Sequence, residues 1–271
     1  VIVGTAVLLY ALAGIGFITY LFWRRPGVVL ASRVLFSAGA ALHLLFTLFL
    51  AFRTGRLPLA SPAQAASMTI LLASLIFMPL IFRKSTAVLG AFFLPAATCA
   101  LGMTAPRLQE GAAAAEALLH VWYPLHTVSV IAGEALFAVA FIASAAYLVH
   151  EGIIRRGRIY LSVSSLPPLK LLDGILSLCL GLGFVAISAG MVFGALWAAS
   201  LGVELSRIAV KASAGAAMWA IFAFSLHQRF ALGWSGRRTA VITIAGFLFM
   251  VLLFIGLNLV FPEAHGIGLT R

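Results

Sequence analysis

Residues 121–149 read VWYPLHTVSVIAGEALFAVAFIASAAYLV, a run in which Glu134 is the one formally charged side chain. As a helix this run extends for roughly 43 Å at 1.5 Å per residue, more than the ~30 Å hydrocarbon core of a bilayer. It is several times longer than a buried strand, so it reads as a membrane-spanning helix. The rest of the chain agrees: 63% of the 271 residues are hydrophobic and only 9% are charged. That leaves too little polar surface for a soluble globule, and lipid must be the solvent. In hydrocarbon every backbone amide and carbonyl needs a partner within the protein, which restricts spanning elements to helices and closed barrels. The long unbroken apolar runs select helices.

Cutting the chain at charges, prolines and polar clusters gives eight candidate spans, at 1–23, 31–52, 66–82, 86–104, 121–149, 173–200, 209–232 and 239–262. The fold class is therefore an all-α, polytopic transmembrane bundle. Of the 18 basic residues, twelve fall on the odd-numbered connections: Arg24, Arg25, Arg33, Arg83, Lys84, Arg155, Arg156, Arg158, Lys170, Arg229, Arg237 and Arg238. The other six, Arg53, Arg56, Arg107, Arg207, Lys211 and Arg271, fall on the even-numbered connections and the C-terminal tail. Lysine and arginine concentrate on the cytoplasmic side of a membrane, so both termini are predicted outside. The first run carries its arginines after it and reads as a span rather than a cleaved leader. The connection at 105–120 is a candidate interfacial helix.

The net charge of +11 would suggest a nucleic-acid partner in a soluble protein. Here the cations punctuate apolar runs instead of forming one patch, so they read as topology signals with no nucleic acid implied. Cys99 and Cys179 lie inside spans without Cys-x-x-Cys spacing, which argues against a disulfide scaffold, a thiolate zinc site or covalent haem attachment; they read as buried structural thiols. No soluble domain or tandem repeat interrupts the pattern, and 1–271 is read as a single integral membrane domain. Gly190 and Gly194 form a GxxxG in the sixth span, a spacing that permits close helix packing.

Six histidines carry what functional signal there is. Neutral imidazoles facing each other from two helices can hold a haem iron between them. His126, at the start of span 5, and His265, beyond the end of span 8, share the predicted outer face. They read equally well as interfacial polar residues beside the aromatic belt of Trp122 and Tyr123. His43 and His227 lie within spans 2 and 7, where an ionisable group is costly enough to point to function, a hydrogen-bonded structural role being the alternative. Their depths differ: about 15–18 Å from the cytoplasmic end for His43 and about 8 Å for His227. His120 and His150 stand at loop edges and read as solvated. Glu134 has no evident basic partner at its depth; protonation, a hydrogen bond to a neighbouring helix, a place beside a ligand and a part in proton movement all stand open. No nucleophile, base and oxyanion set, phosphate loop or carboxylate-rich metal cluster is present in the sequence pattern, so binding is favoured over bond-making catalysis.

Several longer stretches carry a resemblance. They are HLLFTLFLAFRTGRLPLASPAQAASM, WYPLHTVSVIAGEALFAVAFIASAAYLVHE, SSLPPLKLLDGILSLCLGLGFVAISAGMVFGALWA, FAFSLHQRFALGWSGRRTAVITIAGFLFMVLLFIGLNLV and FPEAHGIG. In this order they resemble the cytochrome c assembly family of membrane proteins, in particular its CcsA/HemX-like branch. The resemblance implies an outer haem-ligating pair at His126 and His265 and a second pair within the bilayer at His43 and His227. It also implies non-covalent haem b as cofactor and another membrane protein or a cytochrome as partner, in a bacterial-type cytoplasmic membrane or an organellar one. One departure matters. Members that present haem for attachment have a tryptophan-rich segment between the spans matching 6 and 7, whereas this chain reads ASLGVELSRIAVKASAGAAMW there, without that cluster and with Lys211 and Trp219 as candidate remnants. The HemX-like members, which similarly lack that segment, are the nearer comparison. The expected function is haem handling or cytochrome biogenesis by bis-histidine ligation. Two rivals remain: a b-type cytochrome or membrane anchor of a respiratory complex, and a haem-free structural or regulatory membrane protein.

Overall fold

The computed structural model describes residues 2–108, 120–157 and 166–260. Eight helices in it are long and apolar enough to cross a bilayer, and the described residues contain no strand. They are α1 (Ile2–Trp23), α2 (Pro26–Thr54), α3 (Pro62–Phe82), α4 (Gly90–Thr104), α5 (Trp122–Arg155), α6 (Leu169–Ser200), α7 (Leu205–Leu232) and α8 (Arg237–Val260). Short 3₁₀ turns at Ala87–Leu89 and Ala105–Arg107 extend α4 at both ends. His265 and most of the 105–120 connection, along with Arg158 and Arg271, lie outside the described residues.

Local chemistry sets the boundaries. Pro26 and Pro62 open α2 and α3, where a missing amide proton costs no helical hydrogen bond. Ser61 caps α3 by accepting from the Gln64 amide at 3.2 Å, and the Gln64 side chain accepts from the Ala60 amide at 3.0 Å. Gly55 ends α2 at φ 67°, a left-handed conformation that glycine adopts without a Cβ penalty. Five helices outrun the apolar pattern, α2, α3 and α7 by beginning at Pro26, Pro62 and Leu205 rather than at 31, 66 and 209. α5 continues past residue 149 to Arg155, helped by the Glu151–Arg155 ion pair one turn apart, and α6 begins at Leu169 rather than 173.

Consecutive helices run antiparallel, so the connections gather at two ends. One holds Arg24, Arg83 and Arg237 and is called here the basic end; the other holds the start of α5 and the end of α6. Helix α5 is central and packs against α3, α6 and α8, while α1 packs against α2 and α4. Fully buried Tyr10, Phe17, Phe36 and Phe77 fill the N-terminal half. Phe137, Ile187 and Phe222 fill the C-terminal half.

The α5–α6 contact is close because it is lined with glycine. A Cβ on Gly133 would collide with Ile187 and stand 3.0 Å from the Gly183 carbonyl oxygen; one on Gly183 would stand 2.6 Å from the Phe137 ring. At the basic end the helices are tied by charge. Asp173 on α6 accepts two hydrogen bonds from Arg229 on α7, at 3.0 and 2.7 Å, and a third from the Gly236 amide at 2.9 Å. Glu151 pairs with Arg237 at 3.1 Å. Helix α7 is otherwise the least buried and least apolar of the eight. Cys179 is buried as expected, but Cys99 faces outward from the bundle.

Candidate functional site

Two helices fix the ring of His126. It lies just over one turn into α5, and its Nδ1 stands 2.8 Å from the carbonyl oxygen of Gly190 on α6. A carbonyl oxygen can only accept, so Nδ1 carries the proton and Nε2 holds the free lone pair. The ring fits there because α6 offers no side chain at Gly194: a Cβ would lie 2.7 Å from Nδ1 and 2.9 Å from Cε1. The GxxxG motif thus serves a specific purpose, with Gly190 supplying the acceptor and Gly194 the space. Trp197, one turn further along α6, stacks on the imidazole at 6.2 Å between centroids.

Further aromatic groups surround this position. Trp122 stacks on Phe193 at 6.0 Å, and Tyr123 lies 5.0 Å from Trp197 while donating its hydroxyl to the Leu59 carbonyl at 2.6 Å. Trp197 and Phe193 escaped the sequence reading because their relevance depends on α6 lying beside α5. Their spacing from Gly190 on one helix face was the available signal.

An imidazole whose Nδ1–H is tied to a backbone carbonyl and whose Nε2 is unprotonated suits axial ligation of a metal, since the tie fixes both tautomer and orientation. Among the described residues no group of three or more His, Cys, Asp or Glu side chains converges to hold a bare ion. A porphyrin brings its own nitrogen ligands and needs only single axial groups from the protein. The residues at His126 fit that requirement on one side of such a group. His265 lies outside the described residues.

His43 stands in different surroundings. It is wholly buried in α2, its Nε2 is 2.9 Å from the Ser67 hydroxyl on α3, and the Tyr10 ring of α1 meets it edge-on at 6.2 Å. Its Nδ1 is buried and has no hydrogen-bond partner among the described residues. His227 is exposed on α7, in an open groove shared with Ser177, Leu178, Leu182 and Val185 of α6. His43 thus lies among α1–α3, whereas His227 lines the α6–α7 groove. His120 keeps its loop-edge place, accepting from the Trp122 amide at 3.4 Å. His150 does not: it lies within α5, buried, with Nδ1 2.8 Å from the Pro167 carbonyl oxygen. The extra turns of α5 carry it against the segment that leads into α6.

Residues 3–265 match the family model described as Cytochrome C assembly protein. Among individual relatives, the cytochrome c biogenesis protein CcsA of Prochlorococcus marinus (strain MIT 9303) is 31% identical over 123 residues, 45% of this chain and 39% of the relative. CcsA of Mesostigma viride is 32% identical over 99 residues, 36% of this chain and 32% of the relative. CcsA of Trichormus variabilis is 32% identical over 108 residues, 40% and 31% respectively. The matched segments thus span about a third of the length of these relatives.

Proposed function

The chain belongs to the cytochrome c assembly family, and from that premise we propose that it is a multi-pass membrane protein that binds haem b non-covalently and handles it for cytochrome biogenesis. The observation that carries this reading is the His126–Gly190 hydrogen bond, which leaves Nε2 as a free lone pair within an aromatic surround. His126 is assigned as one axial ligand and His265 as the other, following the family resemblance. Gly190 orients the imidazole, Gly194 makes room for it and Trp197 holds its face. Bound haem would supply a redox-active iron; the residues named here bind and orient it. His43 and His227 are assigned to a second, inner haem, again following the family resemblance.

The direct test is an optical spectrum of the detergent-purified protein, oxidised and reduced, after haem-supplemented expression, with haem quantified per chain. A bis-histidine b-type spectrum is expected. A protein that stays free of haem would overturn the proposal. Fast reversible reduction by a respiratory partner, without transfer of haem, would favour an electron-transfer role instead.

The outer position of His126 rests on the proposed orientation, with the basic end in the cytoplasm. Single cysteines placed near 56 and 204, in a background lacking Cys99 and Cys179, should react with an impermeant reagent in intact cells. Those near 84 and 236 should react only after permeabilisation. The inverse pattern would put His126 on the cytoplasmic side and remove the case for an outer site.

A further inference from the structure

Glu134 lies on α5, about 18 Å below its first residue at 1.5 Å per residue, close to the middle of a ~30 Å hydrocarbon layer. The ion pairs among the described residues join Arg155 and Arg237 to Glu151 and Arg229 to Asp173, all at the basic end, and none includes Glu134. Helix α7, whose Phe222 stacks on Phe137 of α5, carries Lys211 three turns before that contact and His227 and Arg229 after it, with Arg229 held by Asp173. Helix α3 has no ionisable residue, α4 has only Cys99, and α8 has only Arg237 and Arg238 in its first turn. Helix α6 has Lys170 and Asp173 near its start, with Cys179 as its other ionisable residue. On α5 itself, Tyr123 lies three turns away with its hydroxyl on Leu59, His126 lies two turns away, turned to α6, and Tyr147, His150, Glu151 and Arg155 lie towards the basic end.

Among the described residues its hydrogen-bond partner is Thr69 of α3. Thr69 Oγ1 stands 3.0 Å from Glu134 Oε2 and 3.1 Å from the carbonyl oxygen of Ala65. A hydroxyl has a single proton, and the Ala65 carbonyl can only accept. Helical threonines habitually donate to the carbonyl four residues back. In this protein Thr47, Thr54 and Thr127 do so, to His43, Leu50 and Tyr123, at 2.8–2.9 Å. The Thr69 hydroxyl thus has one proton and two oxygens within reach, and both contacts are satisfied together when Thr69 donates to Ala65 and accepts from Glu134 Oε2–H. A carboxylate without a cation at this depth is strongly disfavoured, which points the same way.

We propose that Glu134 is a proton-binding site inside the membrane: a carboxylic acid that keeps its proton at neutral pH and donates it to Thr69 across the α3–α5 contact. The site is independent of the haem reading. Release of this proton requires the α3–α5 contact to open to water, so loss of one proton is coupled to that opening.

Infrared spectroscopy of the purified chain in an ester-free maltoside detergent tests this without any cofactor. At neutral pH the wild-type minus Glu134→Gln difference should show a protonated-carboxyl C=O stretching band that moves down on exchange into D2O. In Thr69→Val the same band should move up, because the acid has lost its acceptor. Glu134→Gln keeps a neutral donor for Thr69 and is expected to fold; should it fail to, the shift in Thr69→Val carries the test alone. Carboxylate bands in place of the acid band, or a protonated-carboxyl region unchanged by Thr69→Val, would overturn the proposal.

Discussion

Replacing His126 with alanine is expected to reduce haem retained by the purified protein by on the order of 100-fold in affinity. Loss of partners that merely orient a metal-binding histidine already costs 10–100-fold, and here the ligand itself is removed. His265→Ala should act comparably, and added imidazole should restore part of the absorption by occupying the vacated position. Gly194→Ala tests the geometry without removing a ligand. Its new methyl would stand 2.7 Å from Nδ1, so the ring must leave the Gly190 carbonyl or α6 must retreat. Retention should fall, though less than in His126→Ala. His120→Ala, at the loop edge, should change little. Equal haem content in His126→Ala and wild type would show that the imidazole is an interfacial group and nothing more.

A second large effect is expected where helices α5 and α6 touch. Gly133→Leu would drive a side chain into Ile187 and the backbone oxygen of Gly183, neither of which can swing aside as a flexible chain end could. Overpacking of this kind costs about 1–3 kcal/mol. For a chain of this size that corresponds to a fall of roughly 3–10 °C in the midpoint of thermal unfolding. Gly181→Leu is the control: it lies on α6, but nothing stands within 4 Å of where its Cβ would be. Its midpoint should stay close to that of the wild type. Similar losses in both variants would mean that the close α5–α6 approach does not set stability.

The fold could be read from the sequence nearly complete because a lipid solvent leaves helices as the simple answer to long apolar runs. All eight spans are present. The misplaced ends are informative: α5 runs on through His150 and Glu151, because charged side chains near a helix end can reach the interface and pair one turn apart. The site was less open to reading. His126 and the glycine pair were each visible as residues, but a motif does not say which helix it will meet. The Gly190 carbonyl, being backbone, leaves no trace in side-chain chemistry. The partner of Glu134 escaped for a related reason: a search for a cation passes over a threonine. The pairing of His43 with His227 came from resemblance, and the described structure sets one among α1–α3 and the other on a surface groove.

The Asp173–Arg229 pair also bears on how the chain is made. The two residues are 56 positions apart, so α6 leaves the ribosome with its carboxylate while the matching guanidinium has yet to be synthesised. At about 5–20 residues per second, that interval lasts roughly 3–11 s. Throughout it Asp173 must stay hydrated in the headgroup layer, which keeps the start of α6 shallow. Helix α7, the least apolar of the eight, gains from arriving late: the waiting carboxylate gives Arg229 a destination at the membrane boundary, and the order of translation becomes part of how the seventh helix finds its depth.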